Sequence, residues 1–379
     1  MSIDLKLLEK RLAEYKVYDA WQYVQSLRET LSYMILSYRL LLKAYEHRCN
    51  TIDRIQDDII NTALKEGQAS FGENDLRKTN LNIVGLEIDD SIFLRKMAIE
   101  FFHYARVSMD ILIQIVNAAL LGDKSYPVSD KRLISKVLKE LKKKAEFADL
   151  LNLLNTNKEH PSYKYLLAFD NYIKHIKTIL ITIKNSFLLG NGKEFTINEF
   201  YYEKLYQKEN VIDKIQEIKD YVIKTIEDIL LEVYNQIPNC LDNSQRIQSI
   251  KFKQVFKKNV NGFNELEYIL FFIEVEEDLS ELPKEIKVLP LIIKPNNEIY
   301  SFDFKFDKIF IKKKGEDESS IIGCAILKNG LETNEFYRVF EVKPCGMKDY
   351  FEYIATFKNK YSKITMNIYA MEGNVIFIS

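Results

Sequence analysis

Cysteine is scarce: Cys49, Cys240, Cys324 and Cys345 are the only four in 379 residues, and no two form a C-x-x-C pair. That spacing argues against a zinc ribbon or a disulfide framework and predicts reduced thiols. There is no phosphate-cradling glycine loop, no G-x-S-x-G elbow and no H-E-x-x-H, which removes support for NTPase, α/β-hydrolase and zincin chemistry. Neither sign of charge dominates: 54 Lys and Arg face 55 Asp and Glu, so affinity for nucleic acid or membrane has to come from a local patch. The best membrane-spanning candidate, 107–121, is short of the roughly 20 apolar residues a span needs and contains Asp110, Gln114 and Asn117. The N-terminal segment is charged throughout and lacks the apolar stretch of a secretion signal, so a cytoplasmic protein without membrane contact is expected.

What is present is enough apolar content, 47%, for a sizeable core. Up to about residue 235 the apolar pattern has mostly helical period. It predicts a short helix over 4–14, one very long helix or two in line over 20–65, a long connection over 67–90 ending in an N-cap at Asp89, Asp90 or Ser91, a helical stretch over 130–155, and a last helix at about 209–235. A loop or short hairpin is expected over 193–207. From about residue 246 short alternating runs rich in Ile, Val, Phe and Tyr predict about eight strands. Turn candidates fall at 259–262, 295–297, 314–318, 329–330 and 373–374. The reading is an α+β chain in two domains, an all-α bundle over 1–240 and an antiparallel β sandwich or barrel over 246–379.

Two predicted helices, 93–121 and 163–189, are apolar nearly all round except for one polar stripe each. In the first, His103, Arg106, Asp110, Gln114 and Asn117 recur at i, i+3 and i+4 steps; in the second, Asn171, Lys174, His175, Thr178, Thr182 and Asn185 do so. A helix that is apolar nearly all round is normally buried, and buried His, Arg and Asp need partners or a wet cleft. Two such stripes facing each other make a site.

An all-helical domain with a central apolar helix and a polar-His motif on another helix resembles HEPN domains, the bacterial helical ribonuclease and nucleotide-binding class. Their motif is an Arg, often followed by Asn, Asp or His, with a His a few residues on. Here Asn171 takes the second place and His175 the last, with four residues between Asp170 and His175, while the Arg is replaced by Asp170. Arg106 is a substitute cation if the two helices are adjacent. The resemblance covers roughly 92–235 and implies a homodimer. Metal-free RNA cleavage needs a base for the ribose 2′-OH, an acid for the leaving 5′-oxygen and donors for the non-bridging oxygens. His175 and His103 suit the first two roles, Arg106, Lys174 and Asn171 suit phosphate, and Asp110 suits orientation of a histidine ring. No metal or cofactor is called for.

The competing reading makes Arg106 and Asp110 an ion pair that fixes helix register, and the helical domain a non-catalytic binding or scaffold module. The function expected is an RNA-directed effector of a bacterial defence or toxin system, with RNA as partner and an unidentified protein or ligand at the β domain. Weaker signals are an E-x-K pair, Glu341 and Lys343, with Asp303 as a metal partner, and lysine clusters at 139–144, 251–258 and 312–314. Each cluster is interleaved with or followed by acids and reads as solvated surface.

Overall fold

The computed structural model describes residues 5–122, 125–130, 132–184, 193–239, 247–258, 264–293, 299–301, 306–328, 338–361 and 374–378. Asn185, Asp303 and the turn candidates at 259–262, 295–297 and 329–330 lie outside the described residues, as does Gly373.

Helix α1 (Leu5–Glu14) precedes α2 (Tyr18–Glu66), one unbroken helix of 49 residues. Its apolar side chains recur at helical steps and bury one side; Val24, Leu27, Leu31, Met34 and Leu41 are at most 7% exposed. The connection that follows holds α3 (Glu73–Arg77) and a hairpin of β1 (Leu81–Ile83) and β2 (Leu86–Ile88). Val84 and Gly85, both at positive φ, make its turn. Asp89 then caps α4 (Asp90–Leu121): its Oδ1 accepts from the amides of Ser91 at 2.8 Å and Ile92 at 3.1 Å. With 32 residues, α4 is long and apolar enough to cross a membrane, which corrects the estimate from the 107–121 run; 72% of its most apolar window is buried within the protein.

The stretch 130–155 is not one helix. α5 (Leu133–Leu141) stops at three lysines, Lys144 turns to extended backbone, and α6 (Ala148–Glu159) starts afresh. α7 (Pro161–His175) begins with Pro161, whose missing N–H costs a helix start nothing, and with His160 as cap, its Nδ1 accepting from the Ser162 amide at 3.2 Å. The helix expected to reach residue 189 ends at His175. The next eight residues include Ile176, Thr178, Ile179, Ile181, Thr182 and Ile183, β-branched side chains that suit a pleated surface better than a helix. They lead into β3 (Ile181–Lys184), which pairs with β4 (Glu194–Ile197). Thr178 and Thr182 therefore leave the helical stripe. After a hairpin of β5 (Phe200–Tyr202) and β6 (Lys204–Tyr206), β7 (Glu209–Asn210) joins β4 as the third strand. The region is thus mostly helical rather than all-α. Asn210 caps α8 (Val211–Gln236), whose buried Val211, Ile215, Ile218, Val222, Ile226 and Ile229 fall on one helical face.

The C-terminal strands are β8 (Ile247–Lys258), β9 (Asn264–Val275), β10 (Glu285–Ile293), β11 (Ile299–Ser301), β12 (Lys308–Lys313), β13 (Ile321–Leu327) and β14 (Arg338–Pro344), then helix α9 (Met347–Tyr361) and β15 (Asn374–Ile378). They form one sheet in the order β11-β10-β14-β13-β12-β9-β8-β15, and β15 also pairs with β10, so the sheet curls round like a barrel. Two features depart from a purely antiparallel β domain: β9 and β12 run parallel, and α9 covers part of the sheet. Successive β9 residues are buried on opposite faces. Phe271, Ile273 and Val275 join a cluster with Ile286, Ile309, Ile311 and Phe340, while Leu270 and Phe272 join Phe310 and Tyr350 of α9.

The chain divides into two compact units. One is built mainly from Tyr23–Asn117 and Lys131–Gln236; the other is built mainly from Ile237–Ser379 and also takes Lys6–Gln22 and Ala118–Asp130.

Candidate functional site

In the first unit α4 and α7 meet through aromatic rings. Phe102 lies 4.2 Å, centroid to centroid, from Phe169, and Phe169, Tyr165 and Tyr172 all contact Phe200 of the β5 hairpin. This apolar block fixes which residues stand beside it. One step along each helix from the Phe102–Phe169 contact come His103 and Asp170.

Asp170 is 5% exposed, and both of its oxygens are taken. Its Oδ1 lies 3.2 Å from His103 Nδ1, and its Oδ2 pairs with Lys174 Nζ at 2.7 Å. A buried carboxylate needs such partners. A carboxylate oxygen can only accept, so Nδ1 is the donor in this contact, and the ring's other nitrogen, Nε2, belongs to a side chain that is 45% exposed. One turn along α4, Arg106 lies 2.5 Å from Asp110 Oδ1 and 5.7 Å over the ring of the buried Tyr163. Partial burial raises the Asp110 carboxyl above its ordinary range, opposed by Arg106 and, more weakly, by Lys174, while the charge of Asp170 adds to the rise. Burial also raises Tyr163, against the pull of Arg106. His103, Arg106, Asp110, Asp170 and Lys174 thus form one charged cluster.

The predicted stripe of α4 is therefore brought to one place in its first half, His103 to Asp110; Gln114 is half-buried and Asn117 buried. On α7 the arrangement differs from the motif reading. Lys174 joins the cluster, Asn171 is half-buried, and His175 is exposed on the last turn with no hydrogen bond or ion pair among the described residues. His175 stands five residues from Asp170, about 140° round the helix. The residue that sequence reasoning missed is Asp170 itself: read as a lost Arg, it is the hub. The available signal was helical spacing, since Tyr163, Asp170 and Lys174 share a face at i, i+7 and i+11.

The other candidates have structural settings. His160, besides capping α7, stacks on Tyr221 at 4.4 Å. Glu341 and Lys343 form a partly exposed ion pair at 2.8 Å, and among the described residues no group of three or more His, Cys, Asp or Glu side chains is placed to hold a metal ion. The lysine clusters pair with acids: Lys143 with Glu140, Lys312 with Glu274, Lys314 with Glu276. A groove of about 410 Å³ lined by Tyr38, Arg39, Lys219 and Lys224 lies between α2 and α8 and shares no residue with the cluster.

Residues 249–376 match a family model described as a domain of unknown function, DUF8310, which covers only the strand-rich part of the chain. No curated protein and no solved structure matches the chain.

Proposed function

We propose that the helical region is a HEPN-like module that acts on RNA at the α4–α7 cluster, with metal-independent cleavage by His103 as its chemistry, in an effector of a bacterial defence or toxin system. The observation that carries the reading is the buried Asp170 holding a half-exposed imidazole by Nδ1, beside two cationic side chains. His103 Nε2 takes the ribose 2′-OH proton; the 2′-oxygen attacks phosphorus and the 5′-oxygen leaves, giving a 2′,3′-cyclic phosphate and a 5′-hydroxyl. Lys174 and Arg106 offset the charge of the non-bridging oxygens. The proton for the 5′-oxygen comes from His175 of a second copy in the homodimer that the HEPN resemblance implies. The strand-rich unit then recognises the trigger, a partner or the RNA.

The test is a mixed-sequence fluorogenic RNA incubated with purified full-length protein in EDTA. Cleavage to cyclic-phosphate ends by the wild type, reduced at least about 100-fold in His103→Ala, is expected. RNA left intact by the wild type, together with unchanged cellular toxicity of His103→Ala, sinks the reading. The second reading, a non-catalytic binding or scaffold module, draws on one observation: both oxygens of Asp170 are already occupied within the protein, as in a structural ion pair.

A further inference from the structure

The four cysteines look isolated in sequence, yet two of them meet. In the antiparallel β13–β14 pair Cys324 lies opposite Lys343, and Cys345 follows two residues later, on the same face one diagonal step away. Both belong to the cluster beneath α9, Cys324 buried at 2% exposure and Cys345 half-buried beside Met347 and Tyr353. Each thiol is the largest single influence on the other's ionisation. No third ligand completes a metal site among the described residues, so the chemistry open to the pair is that of two adjacent thiols.

We propose that Cys324 and Cys345 are a reversible oxidation site, closing to a disulfide when the protein meets a peroxide or a small-molecule disulfide such as oxidised glutathione. With peroxide, the Cys324 thiolate takes one oxygen to become a sulfenic acid and the other oxygen leaves as water. The Cys345 sulfur then attacks the Cys324 sulfur, the S–O bond breaks and a second water departs; two thiols lose two protons and two electrons to one peroxide. With a small-molecule disulfide the same two electrons pass by exchange through a mixed disulfide.

The order of events follows from the surroundings. The neighbouring Cys345 holds the Cys324 thiol below its ordinary value against the effect of burial, with Lys308 and Lys343 helping, which favours Cys324 as the nucleophile. The neighbouring Cys324 and burial push Cys345 up, which favours its remaining a thiol until the first oxidation changes its partner. The closed bond ties β13 to the two-residue approach to α9, whose N-terminal end is already pinned by the Gly346 amide donating to Asp349 at 3.0 Å. It is a clasp at the base of that helix.

Full-length protein is treated with hydrogen peroxide or with oxidised glutathione, quenched in acid, alkylated after denaturation and digested with trypsin without reduction. The expected product joins residues 315–328 to residues 339–348, two hydrogens lighter than their sum, and vanishes on reduction. Cys49→Ser retains it. Cys345→Ser, at a half-buried position that a hydroxyl tolerates, removes it and leaves the circular dichroism spectrum unchanged; Cys324→Ala gives the same loss by removing the other sulfur. Full alkylation of both cysteines in the treated wild type overturns the proposal, as does oxidation of either to a sulfinic acid without the linkage, or a linkage to Cys49 or Cys240 instead.

Discussion

Each unit of the molecule carries a carboxylate bracketed by two basic side chains, and the two brackets differ in what they are built on. Asp170 lies between His103 and Lys174 on a pair of helices; Glu274 on β9 lies between Lys251 on β8 and Lys312 on β12, at 2.6 and 3.3 Å. In the sheet, register sets the geometry: Lys312 pairs directly with Glu274 across the parallel β9–β12 joint, and Lys251 is its diagonal neighbour on β8. Both partners there are lysines, and the triplet fastens three strands. On the helices one partner is an imidazole, a ring with a second nitrogen on a side chain that is 45% exposed. The same electrostatic pattern therefore joins strands in one unit and holds a partly exposed imidazole in the other.

The sharpest way to break the comparison is to neutralise each central carboxylate. Asp170→Asn keeps the shape but removes the charge that orients His103, and RNA cleavage is expected to fall by about 10²-fold or more, read as a change in kcat. Glu274→Gln is expected to leave cleavage unchanged and to cost about 1–3 kcal/mol in urea unfolding at pH 7, because it removes the negative charge shared by two lysines and turns one acceptor oxygen into a donor. Equal loss of cleavage in the two variants would collapse the distinction.

A smaller effect concerns pH. Burial works against ionised Glu274, but Lys251 and Lys312 outweigh it and hold its carboxyl below the ordinary value of 4.5. Its contribution is thus fully present above about pH 4.5 and is lost as pH falls through the depressed folded value, so the stability gap between wild type and Glu274→Gln should close on acidification. Asp110 runs the other way. Its folded value is raised above 3.8, so the wild type loses stability relative to Asp110→Asn as pH rises through that window, by less than about 1 kcal/mol for a half-exposed side chain. Parallel acid-range unfolding curves would show the two gaps moving in opposite directions.

The long elements were legible because period alone determines them. α2, α4 and α8 carry apolar residues at helical steps over many turns, and Asp89 stands where a cap is needed. What misled was local ambiguity resolved by distant partners. Residues 176–183 fit a helical stripe as well as a strand, and pairing with β4 decides for the strand. Over α9, Tyr350, Tyr353 and Ile354 keep helical spacing, but their strand-like composition hides it until the sheet offers a face to cover. The parallel β9–β12 joint has no local signature at all. At the site, the α4 stripe named His103, Arg106 and Asp110 directly. Asp170 was visible only as a departure from a motif, since its role depends on a helix 67 residues away in the chain.

The pairing of β15 with both β8 and β10 bears on how the protein is made. β15 follows β8 by more than a hundred residues, so a ribosome delivers the first strand of the sheet long before the one that covers its edge. Until then two rows of unpaired backbone donors and acceptors are left open, ready to template a neighbouring nascent chain. Closure of so long a loop is slow, which makes this strand-rich unit the part of the chain in greatest need of a chaperone during synthesis.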